Sequence, residues 1–331
     1  DSLLKKMTLE EKIGQLAQYS AGFATGPTAS KLTYDDLVAR GQIGSMLNVV
    51  GAEKTNHYQH IAMEKSRLHI PIIFGLDVIH GHHTTFPVPL AVAASWDTSA
   101  AETVARFSAR EARADGVDWV FSPMVDIARD ARWGRIIESN GEDPYLISEL
   151  GIQMVNGIQS EGIASTIKHF AVYSVPKGGR DGNARTDPHV APRELQEMYL
   201  YPFKKVIEYA HPLGVMASYN DRDGVPIIAS YYFLTELLRQ QFGFSGYVVS
   251  DSDAVEYLFT KHYVAKDIKD AVKQVVEAGL NVHTNFTPPQ TYILPLRELI
   301  KDGSINMATI NSRVADVLRV VGVEEAEGAV V

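Results

Sequence analysis

The feature that most constrains this chain is a repeated alternation of short apolar runs with amphipathic helical segments. The runs are too short for buried helices and are rich in β-branched or aromatic residues, so they predict strands buried on both faces, as in a parallel sheet. These runs are Ile43–Val50, Pro71–Leu76, Trp119–Val125, Ala164–Ile167, Gly214–Ala217 and Gly246–Val249, with a weaker one near Leu280–Val282.

The helices between these runs are marked by their ends. A capping box of Thr8 and Glu11 begins the first helix, and Ile13, Leu16 and Ala17 follow at helical spacing. Flanking glycines and a proline in the first turn define three others. They are predicted over Thr98–Asp115, Pro192–Ala210 and Lys266–Ala278.

Repeated strand–helix units over this length predict either a (β/α)8 TIM-barrel-like fold or a doubly wound sheet. We favour the barrel because nearly every strand ends in a polar group, as barrel active sites require, and because no GxGxxG or P-loop is present. The α/β barrel is predicted over residues 1–320, with a first strand that is allowed to be irregular or incomplete, and residues 321–331 form a separate tail. The polar strand ends are Asp77, Asp126, Lys168, His169, Tyr219, Asn220, Asp251, His283 and Asn285.

Composition excludes several classes of protein. The 331 residues carry a formal charge of -9, which argues against nucleic acid or an anionic membrane as the partner. The absence of cysteine excludes disulfides, zinc–thiolate sites and thiol nucleophiles. No apolar run approaches the roughly 20 residues that span a bilayer, and the first residues do not resemble a signal peptide.

Two aspartates follow the run Gly246–Val249 and are expected to differ in role. Asp251 ends the strand where a barrel interior opens, so it is a candidate catalytic carboxylate, with a buried hydrogen-bonded aspartate or a second cap as the alternative. Asp253 precedes the apolar Val255 and Leu258 and is expected to be the N-cap of the next helix.

Three histidines follow Asp77 and raise the question of a metal. His82 and His83 are adjacent, and no carboxylate lies at the spacing of a helical zinc motif, so we favour hydrogen-bonding loop residues over a metal site. We expect neither a metal nor a cofactor. Asp77 itself is a candidate acceptor for substrate hydroxyls.

A dense charged stretch runs from Arg129 to Glu138. It is either a salt-bridged loop or a set of arginine forks that grip substrate oxygens, with Trp133 as a stacking platform or a loop anchor. Asp143 opens the following helix and is expected to be its N-cap.

Lys168 and His169 are adjacent, although neighbouring residues on a regular strand face opposite ways. If both enter the site, the backbone there must be irregular through a bulge or a strained or cis peptide. The long polar segment Val175–Val190 is expected to be a lid or a substrate-binding loop.

Taken together, several ordered segments resemble glycoside hydrolase family 3, in its β-glucosidase branch. The resemblance extends from about Leu9 to Val320. The similar segments are Gly75–Gly81, Arg132–Glu138 with Gly141–Pro144, Lys168–Phe170, Met216–Asn220 and Val248–Asp251.

The resemblance implies a retaining, exo-acting β-glucosidase that acts on oligosaccharides or aryl β-glucosides. Asp251 matches the nucleophile, and Tyr219 matches the residue beside it. The residues that match the sugar clamp or the pocket wall are Asp77, Arg135, Lys168, His169 and Met216. Neighbouring Arg135 and Lys168 are expected to keep Asp251 ionised. Relatives of this branch are commonly exported, which implies a secreted or periplasmic location.

A retaining mechanism needs a second carboxyl, about 5–5.5 Å from the first, as acid and then base. The resemblance implies that a following α/β sandwich domain supplies it, and the sequence is too short for that domain. The acidic tail carries Glu324, Glu325 and Glu327, which we expect to be solvated.

Three rival interpretations stay open. A single-domain β-N-acetylhexosaminidase would use Asp187 and His189 as its acid/base pair, although the expected Pro-Gly-His-Gly segment after Phe170 is missing. A Schiff-base aldolase would use Lys168. A catalytically silent sugar-binding barrel would keep the clamp and lack an acid/base.

Overall fold

The computed structural model describes residues 2–20, 34–174, 187–285 and 290–322. Within these ranges the chain forms the α/β barrel that the sequence predicts. Eight parallel strands in the described ranges form one sheet in the order β10-β1-β2-β3-β4-β5-β6-β9, and β7 and β8 form a small antiparallel hairpin. The strands are β1 Ala17–Ser20, β2 Ser45–Leu47, β3 Ile73–Leu76, β4 Trp119–Val120, β5 Ala164–Phe170, β6 Gly214–Ala217, β7 Asp221–Arg222, β8 Val225–Pro226, β9 Tyr247–Val249 and β10 His283–Asn285.

Helices connect the strands. The α-helices are α1 Ser2–Lys6, α2 Leu9–Gln15, α3 Asp35–Ala39, α4 Ala52–Lys65, α5 Pro89–Ala93, α6 Thr98–Ala114, α7 Pro144–Gln159, α8 Pro192–Glu194, α9 Tyr201–Ala210, α10 Ala254–Thr260, α11 Ile268–Ala278, α12 Gln290–Lys301 and α13 Met307–Val320. Shorter 3-10 turns span Ile136–Glu138 and Ile227–Ala229, and π-helical segments span Leu195–Tyr199 and Tyr232–Gln241. None of the described helices combines the length and the apolar character needed to cross a bilayer.

The barrel is nearly closed, with a weak seam between β9 and β10. A single parallel bridge joins Val249 to Val282 there. The Ser250 amide donates to the Val282 carbonyl at 2.9 Å, and the Val282 amide donates to the Val248 carbonyl at 3.0 Å. The sequence analysis allowed for an irregular or incomplete first strand. Strand β1 instead pairs with both of its neighbours, β10 and β2, and the irregular junction is the one between β9 and β10.

The predicted ends of two elements differ from the structure. Helix α2 begins at the predicted capping box, with the Thr8 side chain accepting from the Glu11 amide, but it ends at Gln15. Ala17 therefore begins β1 instead of continuing the helix. The predicted helix Pro192–Ala210 is interrupted by the π-helical segment Leu195–Tyr199 and resumes at Tyr201.

The barrel interior is filled by interlocking side chains. The Trp119 indole donates to the Thr166 hydroxyl, which shares a 2.7 Å hydrogen bond with the Tyr247 hydroxyl. The Trp119 and Tyr247 rings meet edge to face at 4.4 Å. Gly214 lies against this cluster, where a Cβ would overlap the Tyr247 and Thr166 oxygens. Only glycine leaves room for these hydrogen bonds, and the packed interior holds the strand ends in place.

Candidate active site

The site residues lie at or just beyond the carboxyl ends of the strands, as in other barrels. Asp77 follows β3, and Asp126 lies beyond β4. Tyr219 and Asp251 lie just after β6 and β9. Met216 is on β6 in register with Val249 of β9 and is buried inside the barrel. The predicted residues from different parts of the chain therefore face one region.

The backbone around Lys168 and His169 is irregular, as the sequence predicts if both side chains enter the site. The Lys168–His169 peptide bond is cis, and the pairing of β5 with β6 shifts register between Ile167 and Phe170. Lys168 reaches Asp77, while His169 faces Asp251. Both side chains are almost fully buried.

Asp251 is buried, with 8% of its surface exposed. Its Oδ1 accepts the Ser252 amide at 2.7 Å. Its Oδ2 accepts no hydrogen bond from the described residues and faces Arg135 Nη1 at 3.7 Å and His169 Nε2 at 3.6 Å. One oxygen thus fixes the carboxylate, and the other faces two basic groups.

The pKa of Asp251 is raised above its usual value because burial disfavours the charged form. Arg135 and Lys168 act in the opposite direction and lower this pKa. The predicted influence of the two cations is therefore present, but desolvation outweighs it.

Lys168 and Asp77 form an ion pair with a 2.9 Å separation between Nζ and Oδ1. The lysine side chain is 2% exposed, whereas that of Asp77 is 42% exposed. Lys168 Nζ also lies 4.0 Å from Glu138 Oε2. The pair presents a buried donor and an accessible acceptor at the same edge of the site.

Glu138 is a site residue to which the sequence analysis assigned no role. It holds Arg135 through two hydrogen bonds of 2.7 and 2.8 Å, in the fork geometry that carboxylates and guanidinium groups favour. The signal was present in the charged stretch, where Arg135 and Glu138 are three residues apart. Sequence alone did not distinguish this brace from a surface salt bridge.

Asp126 is the second residue whose role was missed. It was noted only as a polar strand end, yet its Oδ2 lies 2.8 Å from His169 Nδ1 and accepts the His169 amide at 3.0 Å. Burial raises the pKa of Asp126 to about 7. A carboxylate on Nδ1 orients the ring and directs Nε2 toward Asp251.

Aromatic rings form a wall beside these charged groups. Tyr173 meets His169 edge to face at 5.0 Å and Trp133 at 5.6 Å, and the Arg135 guanidinium lies 5.8 Å from its ring centre. Trp133 is only 1% exposed. It is therefore a loop anchor, and the alternative of an exposed stacking platform is wrong.

Tyr219 lies beside the proposed nucleophile. Its hydroxyl donates to the Ser252 carbonyl at 2.7 Å, and its own carbonyl faces His262 Nε2 at 2.9 Å. Burial raises the pKa of the Tyr219 hydroxyl well above its usual value. The phenol therefore stays protonated and braces the segment that carries Asp251.

The two predicted helix caps have different outcomes. Asp143 accepts the Leu146 amide at 2.7 Å and caps α7 as predicted. Asp253 occupies the N-cap position of α10, but it adopts a left-handed backbone conformation with φ 57° and makes no side-chain capping hydrogen bond. The prediction of its position is correct, and that of its capping bond is wrong, because this backbone differs from the extended conformation typical of an N-cap.

The predicted lid is only partly described, since residues 175–186 lie outside the described ranges. At its end, Asp187 accepts the His189 amide at 2.8 Å and the Asp223 amide at 2.7 Å. His189 Nδ1 lies 3.6 Å from Asp187 Oδ1, and its ring is 86% exposed. In the tail, residues 323–331 also lie outside the described ranges.

Comparison with known proteins identifies the family. The model of the glycosyl hydrolase family 3 N terminal domain matches residues 8–320. The periplasmic beta-glucosidase of Salmonella typhimurium is 37% identical over 324 residues, covering 96% of this chain and 41% of that protein. A putative beta-xylosidase of Formosa agariphila is 32% identical, covering 96% of this chain and 44% of that protein.

A solved structure gives the same result. The crystal structure of a beta-glucosidase from Listeria innocua in complex with isofagomine has a TM-score of 0.88 at 35% identity, covering 98% of this chain and 46% of that one. This chain spans less than half the length of each of these relatives. The barrel, the ordered motifs and these matches together show that the chain belongs to glycosyl hydrolase family 3.

Proposed function

We propose that this chain is the catalytic barrel of a retaining, exo-acting β-glucosidase, with Asp251 as the nucleophile. The observation that carries the proposal is the available Oδ2 of a buried aspartate, which faces Arg135 and His169 at 3.7 and 3.6 Å. A carboxylate held through one oxygen is well suited to attack an anomeric carbon with the other.

The surrounding groups suit one terminal sugar. Lys168 and Arg135 are donors, and Asp77 is an accessible acceptor beside the buried lysine. Many charged hydrogen-bonding groups around a small polyol give orientation and specificity. We infer that they hold the hydroxyls of the non-reducing glucosyl residue, with Met216 and Tyr219 on the pocket wall.

The proposed reaction has two displacements. Asp251 Oδ2 forms an ester bond with the anomeric carbon while the glycosidic bond breaks, and an acid protonates the leaving oxygen. The same group then acts as a base and takes a proton from the water that attacks the same carbon, while the ester bond breaks and the carboxylate is released. Because burial raises the pKa of Asp251, the acidic limb of the rate profile should lie at a higher pH than for an ordinary aspartate.

The acid/base is proposed to come from outside this barrel. The two carboxylates nearest the Asp251 partners are engaged, since Glu138 binds Arg135 and Asp126 binds His169. The longer relatives leave room for a further domain. We therefore propose an α/β sandwich domain of the full-length enzyme as the partner that supplies this group. The Asp187–His189 pair is the alternative source.

The identity of the terminal sugar is tested by comparing the rates of different aryl glycosides. The beta-xylosidase relatives favour xylosides as a second candidate, and the two sugars differ by the hydroxymethyl group at C5. Initial rates with aryl glucoside, xyloside and N-acetylglucosaminide should be greatest for the glucoside. A preference for the N-acetylglucosaminide that His189→Ala abolishes would instead support the hexosaminidase alternative.

The aldolase alternative is disfavoured by the state of Lys168. Its Nζ lies 2.9 Å from Asp77 Oδ1 and 4.0 Å from Glu138 Oε2, so two carboxylates compete with a carbonyl substrate for the amine. Borohydride treatment with a keto substrate should leave the protein unlabelled. A stable adduct on Lys168 would support the aldolase.

A burst experiment tests the proposed nucleophile. A dinitrophenyl β-glucoside needs little acid assistance, so this chain should release one equivalent of phenol rapidly and then turn over slowly. Asp251→Asn should abolish the burst. The matched control Asp253→Asn should keep it, because its carboxylate lies two residues further along, at the start of α10. No burst from a chain that still binds glucose would favour the silent sugar-binding barrel.

We further propose a secreted or periplasmic location for the enzyme. The support is the periplasmic beta-glucosidase that matches 96% of this chain. Fractionation of the native host should recover the activity outside the cytoplasm, and recovery in the cytoplasm alone would refute the proposal.

A further inference from the structure

A second cluster of chemically capable side chains lies in the loop between β3 and α5, and it shares no residue with the site around Asp251. His82 Nε2 lies 2.7 Å and His83 Nε2 lies 2.8 Å from the same oxygen, Asp115 Oδ2. The two imidazole rings are 4.4 Å apart. Two ligand atoms from adjacent histidines and one from an aspartate more than 30 residues further along therefore lie close together.

The loop that presents the histidines is held in shape by its own hydrogen bonds. The Phe86 amide donates to the His80 carbonyl at 2.8 Å, and Gly81 pairs with Thr85 across the turn. Glu111 of α6 accepts the His83 amide at 2.8 Å and the Thr84 amide at 2.7 Å. The backbone that carries the ligands is thus attached to the helix that leads into Asp115.

The charge and exposure of the cluster also suit a cation. Asp115 and Glu111 place two carboxylates beside the imidazoles. The side chains of His82 and Asp115 are 12% and 22% exposed, whereas that of His83 is 67% exposed. Two ligands are therefore largely shielded from solvent, and the third is exposed.

Ligand chemistry indicates which cation. Two imidazole nitrogens with one carboxylate oxygen are a typical zinc set, and water completes the tetrahedron. Bond lengths of about 2.0–2.2 Å place tetrahedral ligands roughly 3.3 Å apart. The present N···O separations of 2.7 and 2.8 Å must each open by about half an ångström to reach that value, which needs small rotations of both imidazole side chains. Hard cations such as Mg²⁺ prefer all-oxygen sets.

We propose that His82, His83 and Asp115 form a zinc site that fastens the loop after β3 to the end of α6. These residues are not part of the site around Asp251, so the zinc proposal does not depend on the proposed glycosidase function. Zinc replaces the two hydrogen bonds to the shared oxygen with coordinate bonds to both imidazoles and the carboxylate, and the Nε2 proton of each ring is released to water or carried on Nδ1 in the other tautomer.

Calorimetry on tag-free, metal-stripped protein with zinc chloride tests the proposal. The wild-type chain should bind one zinc ion and show a higher Tm with the metal. His83→Ala should weaken zinc binding by at least about tenfold, as should Asp115→Asn, because even the loss of an outer-shell partner costs about 10–100-fold. His83→Ala is the decisive variant, since its exposed side chain contributes little to packing.

The matched control is His57→Ala. His57 Nε2 lies 3.0 Å from Asp35 Oδ1, so this exposed pair has one histidine and one aspartate but no second imidazole. The His57→Ala variant should bind zinc with the same affinity as the wild type. Cobalt should give the intense visible absorption of a tetrahedral complex in the wild type and not in His83→Ala. Equal zinc affinity in the wild type and His83→Ala, or an equal loss in His57→Ala, would overturn the proposal.

Discussion

Replacement of Asp126 by asparagine tests whether the buried carboxylate positions His169 for the reaction at Asp251. Asp126 Oδ2 lies 2.8 Å from His169 Nδ1 and accepts a hydrogen bond from the His169 backbone amide at 3.0 Å. Both contacts end on Oδ2, so the asparagine oxygen can replace that acceptor, and what is lost is the negative charge that strengthens them. A hydrogen bond to a charged group contributes about 1.5–3 kcal/mol and a neutral one about 0.5–1.5 kcal/mol, so the loss is about 1–1.5 kcal/mol. Lost in the transition state alone, it corresponds to a rate reduction of about 5–13-fold.

The assay is the burst rate constant with a dinitrophenyl β-glucoside, measured by stopped-flow absorbance. The rate constant should fall within that range, while the apparent affinity for the glucoside changes much less, because Asp126 orients His169 and its own side chain is only 2% exposed. Asp118→Asn is the matched control, since Asp118 immediately precedes the same strand, β4, at its opposite end. A folded Asp126→Asn protein with a rate constant within about twofold of wild type would refute the reasoning, as would an equal loss in Asp118→Asn.

The Asp126→Asn variant should also change how the free energy of unfolding depends on pH. The pKa of Asp126 in the folded protein is raised to about 7, above the value of about 3.9 expected in the unfolded chain. The native state therefore binds a proton that the unfolded state has lost between these two values. The stabilisation from Asp126 is present below about pH 4 and is lost as pH rises through about 7. Urea unfolding of the wild type relative to Asp126→Asn should show this decline, and parallel curves would contradict it.

Three further substitutions probe other parts of the account. Gly214→Ala should lower the free energy of unfolding by about 1–3 kcal/mol in urea titrations, because its Cβ overlaps the oxygens of Thr166 and Tyr247; an unchanged midpoint would contradict this packing. Arg135→Lys should reduce the burst rate constant, because lysine cannot reproduce the two-bond fork to Glu138, and full activity would show that the fork is dispensable. Asn306→Ala should cost about 1 kcal/mol of stability, since its side chain caps α13 through the Thr309 amide, and a loss of activity at unchanged stability would contradict a purely capping role.

The strands that the sequence predicted are those whose residues are apolar on both faces. Gly214–Ala217 is identical in the structure, and most other runs contain a strand within the predicted bounds. Strand β1 was missed because it is partly polar: Gln18 is fully buried and accepts the Thr284 hydroxyl at 2.9 Å inside the barrel. A polar residue with a buried partner from the far end of the chain leaves no local signal.

The location of a candidate residue was predictable where it lies near the end of a strand and also matches an ordered family motif. Asp251, just after β9, and Lys168, near the end of β5, are such residues. The roles of Glu138 and Asp126 were not predictable, since each depends on which cation or ring the fold brings to its carboxylate. Likewise, the cluster on which the zinc proposal depends could not be seen in the spacing of His82 and His83, because Asp115 joins them only in three dimensions.

The central claim is that Asp251 forms the covalent bond to the sugar, and the most direct measurement is the site of that bond. A 2-deoxy-2-fluoroglucoside with an activated leaving group should accumulate as a glycosyl ester, because the fluorine slows its hydrolysis. Proteolysis and tandem mass spectrometry should place the label on Asp251, and Asp251→Asn should remain unlabelled. A label on Asp77 or Glu138, or no label on protein that binds glucose, would contradict the account.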